Sequence, residues 1–182
     1  MKRDTDGGPG PAEVRFAGPW IIPDGEYLTF VRRLFAESRR RCLASLFLVG
    51  DAPWRDREFV MDGLLLSLAQ ARWRGADARL LVGGARSNPM MVQMAEAARK
   101  RAGILRVPCR WLTDIPKLAG HAKVVIADDY VVVGSHNWMT GPTAAKPAQD
   151  SVCVSSTSLA HRLERRFGEQ WQAAGDPTSL AV

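Results

Sequence analysis

The sequence predicts an α/β fold in which helices flank a mixed β-sheet on both faces. In the first part of the chain, apolar strand-like runs alternate with amphipathic helical segments, and farther along two strand-like runs are joined by only two residues. Strand-helix alternation is typical of parallel strands, whereas a tight turn makes the strands that it joins antiparallel. A chain of 182 residues with an apolar content of 46% suits one domain. We expect that domain over residues 13–173, with flexible tails at 1–12 and 174–182.

The first half of the chain supplies the alternating elements. A helix is expected over 24–41, because Asp24 can cap it and apolar residues recur along one of its faces. The continuously apolar segment 42–50 follows as a buried strand. A second helix over 57–74 stops at a glycine, and the next strand, 76–84, ends in two glycines.

The second half contains the hairpin and closes with a helix. An Asn-Pro pair opens a helix, since proline is favoured in the first helical turn, and apolar runs bounded by polar residues mark the later strands. Asp128 and Asp129 form the tight turn between two of these strands. The expected elements are helix 88–102, strand 104–108, strands 121–127 and 130–135, strand 151–156 and helix 159–173.

The charge balance favours an anionic partner. Lysine and arginine total 25 against 19 aspartates and glutamates, which gives a net charge of +6. A basic surface favours a polyanion, either nucleic acid or an anionic lipid membrane. A simpler explanation holds for some of the basic runs, because cations at helix C-termini interact favourably with the helix dipole.

Other features of the composition favour a cytoplasmic location. The apolar runs are far too short to span a bilayer, so no transmembrane segment is expected. The Gly/Pro-rich N-terminus lacks the apolar region of a secretion signal. The cysteines, Cys42, Cys109 and Cys153, are odd in number and lie in apolar contexts, so we expect buried free thiols and no zinc site.

A histidine and a lysine, His121 and Lys123, stand at the head of a strand and share one of its faces. A neutral imidazole beside a cation is suited to attack an anionic phosphorus centre, because the lysine neutralises the phosphate and favours the unprotonated imidazole. Ser135 and Asn137 add two hydrogen-bond donors where the chain leaves the sheet. No carboxylate cluster accompanies these residues, so they indicate phosphoryl transfer without a metal or another cofactor.

These residues resemble the H-x-K-x(4)-D…G-S-x-N signature of the phospholipase D superfamily. The resemblance implies that His121 forms a phosphohistidine intermediate, while the histidine of a second motif protonates the leaving oxygen. It also implies that Lys123 and Asn137 bind the phosphate, with Ser135 close to it. In such proteins an acidic residue beyond the G-S-x-N loop orients the histidine, and Asp150 is the matching residue here.

The resemblance covers about residues 14–173, and the chain departs from the signature in one spacing. Only five residues separate the motif aspartate, Asp128, from the motif glycine, Gly134, where the superfamily usually has six. The count from the lysine selects Asp128, which we interpret as structural, but the shorter turn leaves Asp129 as an alternative. Asp150 has an alternative interpretation too, as a solvated turn residue.

The chain contains one H-x-K motif and no second one. Two-step transfer needs two histidines on opposite sides of one phosphorus, and a twofold axis through the site would supply the second from an identical subunit. The resemblance implies the same arrangement, because single-motif members of the superfamily work as homodimers with one shared site. The alternative is a degenerate, inactive domain.

Five further residues are candidates for binding the substrate: Arg86, Ser87, Asn88, Trp54 and Trp138. The first three lie in a strand-to-helix loop that can form a second wall for phosphate. The two tryptophans lie in loops expected near the cleft, where an aromatic ring can stack on a base; packing in the core is the alternative. His136, the variable residue inside G-S-x-N, is expected at the rim of the site.

Three functions fit these residues. A metal-independent phosphodiesterase of the endonuclease type, acting on DNA or RNA, is favoured by the basic charge and the small size of the chain. A phospholipase D or phosphatidyl transferase acting on lipid headgroups is the second. A non-catalytic nucleic-acid-binding module is the third.

Overall fold

The structure, a computed structural model, describes residues 18–50, 60–85, 87–112, 120–138 and 149–174, so nearly all of the two predicted tails lies outside it. In this part of the chain, seven strands form one sheet and four helices cover it. The strands are β1 (Trp20–Pro23), β2 (Arg41–Leu46), β3 (Asp77–Val82), β4 (Cys109–Trp111), β5 (Lys123–Ala127), β6 (Tyr130–Gly134) and β7 (Asp150–Ser155). The helices are α1 (Asp24–Glu37), α2 (Val60–Trp73), α3 (Pro89–Ile104) and α4 (Thr157–Ala173). The predicted α/β class is confirmed.

The sheet is mixed, as predicted, and its strands lie in the order β1-β7-β6-β5-β2-β3-β4. β2, β3 and β4 are parallel, and the remaining neighbours are antiparallel. Antiparallel pairing places Lys123, which begins β5, opposite Leu46, which ends β2. It also places Gly134, which ends β6, opposite Ser151 near the start of β7. One edge of the sheet therefore collects the ends of β1, β2, β3 and β6 and the starts of β5 and β7.

Helices cover both faces of the sheet, which confirms the predicted layers. α1, α2 and α3 bury one face under a core that includes Phe35, Leu65 and Leu80. On the other face, α4 packs Phe167 and Trp171 in a cluster with residues of β2, β3, β5 and β6. None of the described helices is long and apolar enough to cross a membrane.

Three elements differ from the prediction. β1 was not predicted, because four residues at the edge of a sheet are too few to show a periodicity. The predicted strand 104–108 is wrong, since α3 continues to Ile104 and the chain then turns through Arg106 at a φ of 56° before β4 begins at Cys109. α1 is shorter than predicted and ends at Glu37.

The cysteines are buried and free, as predicted. Burial raises the pKa of Cys42 and Cys109 to about 12 and that of Cys153 to about 11. The thiols therefore stay protonated near neutral pH and act as packing groups rather than nucleophiles.

Candidate active site

The predicted histidine and lysine lie side by side at the edge where β2 and β3 end. His121 precedes β5 and is exposed, and Lys123 is half-buried. Lys123 Nζ lies 3.5 Å from His121 Nδ1 and donates to the His121 carbonyl oxygen at 3.3 Å. The Phe47 ring packs against both, with its centroid 4.3 Å from the imidazole and 5.2 Å from Nζ. Desolvation lowers the pKa of Lys123, because partial burial disfavours the charged ammonium.

Two glycines that are far apart in sequence hold the backbone before His121. A Cβ atom on Gly83, just after β3, would lie 1.9 Å from the carbonyl oxygen of Gly120. The Gly83 N–H donates to Leu46 O at 2.7 Å, and Trp111 Nε1 donates to Gly83 O at 3.1 Å, so this end of β3 is fixed on both sides. Gly120 therefore rests on a rigid strand end, which sets the position of His121.

The donors of the second half of the motif lie at the same edge. Asn137 Oδ1 accepts from the Leu48 N–H at 3.0 Å, so the amide NH₂ is the end of this side chain that can donate to an anion. The Ser135 hydroxyl bridges the backbone of Asp150, donating to its carbonyl at 3.2 Å and accepting from its N–H at 3.1 Å. A Cβ atom on Gly134 would lie 2.2 Å from Ser151 Oγ, which explains why the motif has glycine there.

A family model described as "Cardiolipin synthase, PLD-like domain" matches residues 35–171, about three quarters of the chain. The chain belongs to the phospholipase D superfamily. Together with the intact H-x-K and G-S-x-N residues, membership supports phosphodiester chemistry at this edge of the sheet. A search of curated proteins finds no match.

Solved structures of the superfamily fold are similar over most of the chain. The phospholipase D family member Nuc from Salmonella typhimurium is 19% identical with a TM-score of 0.66, over 87% of this chain and 97% of that one. NucT from Helicobacter pylori is 13% identical with a TM-score of 0.56, over 85% and 96%. The phosphatidylserine synthase of Haemophilus influenzae is 12% identical with a TM-score of 0.60, over 81% of this chain but 35% of that one. At these identities the likeness shows the fold alone.

The superfamily's motif aspartate lies at the far end of the hairpin from Lys123. Ala127 pairs with Tyr130, so Asp128 and its neighbour form a two-residue turn, and Asp128 has a φ of 50°. The Asp128 carboxylate accepts from three successive backbone N–H groups, of residues 39, 40 and 41, at 2.9, 2.8 and 3.0 Å. Asp128 therefore ties the hairpin to the backbone of the segment that enters β2, whereas the Asp129 carboxylate contacts the side chains of Arg40 and Arg41.

Asp128→Ala should lower the free energy of unfolding by roughly 2–4 kcal/mol, because three N–H groups lose a charged acceptor. Asp129→Ala is the matched control, since its half-exposed carboxylate forms ion pairs with Arg40 and Arg41, and we expect less than about 1 kcal/mol. Urea titrations followed by circular dichroism measure both. Equal losses in the two variants would contradict this assignment.

Asp150 begins β7 at the edge that carries His121, and it is exposed. Its backbone carbonyl also accepts from the Ser135 N–H at 3.0 Å, so the start of β7 is tied to the motif loop. The role of its carboxylate in orienting the histidine stays a prediction.

The structure places the candidate substrate-binding residues in different environments. Trp138 is fully buried, its backbone pairs with residues 48 and 50, and its ring packs edge-on against Phe35, so the expectation that it stacks on a base is wrong. Asn88 caps α3, where its Oδ1 accepts from the N–H groups of residues 90 and 91 at 3.0 and 3.3 Å. Ser87 is exposed beside it, and contact of either residue with phosphate stays a prediction. Trp54 and Arg86 lie outside the described residues.

His136 was expected at the rim of the site, and this expectation is wrong. The side chain is buried, with an exposed fraction of 5%. Its ring stacks on Tyr27, with centroids 4.2 Å apart and an angle of 8° between the planes. Its nitrogens approach Ser151 Oγ at 2.7 Å and Asp24 Oδ1 at 3.0 Å. The sequence did not reveal this burial, because Tyr27, Ser151 and Asp24 all lie far from His136 along the chain.

A cavity of about 420 Å³ opens beside His121 on the α4 face of the sheet. Its walls are mainly apolar, and Arg166 of α4 lines it together with the motif histidine and lysine. The apolar lining residues are Leu43, Ala122, Val124, Ile126, Val133, Leu163 and Phe167. Within the described ranges, no group of three or more histidine, cysteine, aspartate or glutamate side chains is arranged to hold a metal ion.

Proposed function

We propose that this chain is a nuclease: a metal-independent phosphodiesterase that cleaves nucleic acid through a phosphohistidine, at a site shared by two subunits. The observation that carries the proposal is the exposed imidazole of His121, with the Lys123 ammonium 3.5 Å from it. A neutral histidine next to a cation is a nucleophile directed at an anionic phosphorus centre. The Asn137 amide NH₂ and Lys123 stabilise the charge on the phosphate oxygens.

The reaction has two steps. A nitrogen of His121 attacks phosphorus, the bond from phosphorus to the leaving oxygen breaks, and His121 of the partner subunit gives that oxygen a proton. The same partner histidine, now neutral, takes a proton from water as the water oxygen attacks phosphorus. The phosphorus–nitrogen bond then breaks, and the first histidine is regenerated.

The shared site is supported by the single motif and by an apolar strip beside it. Val133 of β6 is opposite Val152 of β7, which is opposite Ile21 of β1, and these residues are 46%, 38% and 73% exposed. Three exposed apolar side chains in one row across a sheet are typical of an interface. The row ends next to Gly134 and the G-S-x-N loop, so a subunit bound there adjoins the motif residues.

Nucleic acid is favoured as the substrate by charge. The net charge is +6, and α4 presents the exposed residues Arg162, Arg165 and Arg166, of which Arg166 lines the cavity beside His121. A phosphate backbone gains affinity from such a row of cations. TrmBL2, described as an archaeal chromatin protein with a novel mode of DNA binding, has a similar fold, with a TM-score of 0.52 and 14% identity over 90% of this chain.

A phospholipase D or phosphatidyl transferase acting on lipid headgroups is the second candidate. The apolar cavity beside His121 is the observation in its favour, because it can take part of an acyl chain. The family description, cardiolipin synthase, and the similar phosphatidylserine synthase are consistent with it.

Purified protein incubated with labelled single-stranded DNA, duplex DNA, RNA and phosphatidylcholine vesicles separates these functions. We expect cleavage of nucleic acid by the wild type, none by His121→Ala, and full activity in His161→Ala, which alters an exposed histidine of α4. Cleavage of lipid alone would establish the second candidate. Binding of nucleic acid with no cleavage would establish a non-catalytic module.

Activity should survive millimolar EDTA, because the nucleophile is an imidazole and the charge of the phosphate is met by Lys123. The measurement compares initial rates with and without the chelator on the preferred substrate. Loss of activity that magnesium or manganese restores would contradict the phosphohistidine mechanism.

Affinity for nucleic acid should fall steeply with salt. For each phosphate neutralised, log affinity changes with log salt with a slope of about −0.7 for single strands and −0.9 for duplexes. Fluorescence anisotropy with the His121→Ala chain measures binding without cleavage. Arg166→Gln should remove about one such increment from the slope, and a flat response with strong vesicle binding would favour the lipid substrate.

A further inference from the structure

Asp24, His136 and Ser151 form a connected set of polar side chains, here called the Asp24–His136–Ser151 chain. Ser151 and His136 are 2% and 5% exposed, so two of the three polar groups are withdrawn from water. His136 Nδ1 lies 2.7 Å from Ser151 Oγ, a hydrogen bond, and Nε2 lies 3.0 Å from Asp24 Oδ1. The second contact is short but not aligned as a linear hydrogen bond, so it acts mainly through the attraction between the carboxylate charge and the N–H dipole of the imidazole.

The two contacts define where the proton of the imidazole resides. A carboxylate oxygen 3.0 Å from Nε2 attracts an N–H and repels a lone pair, so Nε2 carries the proton. In the neutral ring Nδ1 then accepts a hydrogen bond from the Ser151 hydroxyl. The contacts along the Asp24–His136–Ser151 chain therefore have one direction. The Ser151 hydroxyl donates to Nδ1, and the Nε2–H group faces the Asp24 carboxylate.

Asp24 does not act as the cap of α1, although its position in the sequence predicts that role. It was expected to cap α1, but it is the first helical residue, the cap is Pro23, and no side chain accepts from the first turn. Its other oxygen, Oδ2, accepts from the Gln149 N–H at 3.0 Å. Gln149 Nε2 in turn donates to Ser135 O at 2.9 Å, so the aspartate reaches the motif loop by a second route.

His136 lies between the two donors of the site, Ser135 and Asn137. Its ring stacks on Tyr27, and Tyr27 OH accepts from Trp138 Nε1 at 3.4 Å, so the segment is anchored to the core on the far side as well. A backbone held at its central residue by stacking, charge and a hydrogen bond cannot shift one donor without the other. We infer that the Asp24–His136–Ser151 chain positions the G-S-x-N loop so that the side-chain amide of Asn137 faces the phosphate, with Ser135 beside it.

The inference rests on the proposed function for its effect on rate. The tautomer of His136 and the position of the Asn137 amide can be measured without turnover. Donors that are positioned for the transition state affect kcat, with little effect on KM. His136→Phe keeps the ring that stacks on Tyr27 and removes both polar contacts, and we expect kcat to fall at least about tenfold with KM within about twofold. His136→Gln, which can donate at one end and accept at the other, should recover part of the loss.

The experiment that tests this positioning combines kinetics with nuclear magnetic resonance. The protein has three histidines, so long-range proton–nitrogen spectra of the imidazoles are assigned with single substitutions. We expect the Nε2–H tautomer for His136 in the wild type and a displaced side-chain amide signal of Asn137 in His136→Phe. His161→Phe is the matched control and should leave kcat and the Asn137 signal unchanged, because that ring is 57% exposed on α4.

Each outcome decides one point. An Nδ1–H tautomer, or an unmoved Asn137 signal and wild-type kcat in a folded His136→Phe, would overturn the inference. If the wild type cleaves no phosphodiester, the proposed function fails, while the tautomer and the amide signal still test the positioning. If His136→Phe does not fold, Asp24→Ala, at a partly exposed site, takes its place and should show the same displaced signal and reduced kcat.

Discussion

Gly83→Ala should lower kcat about a hundredfold, although Gly83 has no part in the chemistry. Its added methyl group would lie 1.9 Å from the Gly120 carbonyl oxygen and 2.8 Å from the carbonyl carbon. Both are backbone atoms, so the strain cannot be relieved by turning a side chain. The segment before His121 must move by about an ångström, and a displacement of that size at a reacting group costs roughly a hundredfold in rate.

The expected signature is a large loss of rate with a smaller loss of stability. A second alanine variant, Gly168→Ala in α4, is the matched control, because a Cβ there meets nothing within 4 Å. Alanine is also the better helix former by roughly 1 kcal/mol, so the control should melt higher and keep its activity. A Gly83→Ala protein that is folded and retains wild-type kcat would show that the Gly83–Gly120 contact does not place His121.

The same contact shows which parts of the site can be predicted from sequence. His121 and Lys123 were predictable because Lys123 begins β5 and His121 lies two residues before it, so a period of two residues places both side chains on the same side of the chain. The hairpin was predictable for a similar reason, since a two-residue turn leaves one pairing for its strands. Gly83 and Gly120 are separated by a helix and a strand, and no local pattern records that their backbones touch.

The errors have the same cause. Trp138 follows a motif residue and was expected in the cleft, but its backbone pairs with Val49, beyond the end of β2, and its ring lies in the core. Asp24 has the position of a helix cap, and its carboxylate instead meets a histidine in the loop that follows β6. Local propensity describes what a residue can do alone, whereas tertiary partners decide which of those options is used.

A chain carrying His121→Ala should inactivate its wild-type partner. In a homodimer with one site on its twofold axis, each turnover uses the histidine of both subunits, one as nucleophile and one as general acid. A mixed dimer lacks one of these roles, and the loss of an acid or base costs roughly a hundredfold or more. Two independent sites would leave the mixed dimer about half active.

Mixing equal amounts of the two chains gives a simple expectation. Random pairing makes about one quarter of the dimers wild type, one half mixed and one quarter fully substituted, so activity per dimer should fall to about a quarter of the wild-type value. Independent sites would retain about half. The direct measurement co-refolds differently tagged chains, isolates the heterodimer by both tags and assays it on the preferred substrate.

The control replaces His121→Ala by His161→Ala, a substitution in an exposed histidine of α4, and should give a fully active heterodimer. That comparison removes refolding losses and tags as causes, because both heterodimers pass through the same steps. A His121→Ala heterodimer with near half of the wild-type activity, or a wild-type protein that is fully active as a monomer, would refute the shared site. A heterodimer below about one hundredth of the wild-type rate would establish that one His121 cannot serve as both nucleophile and acid.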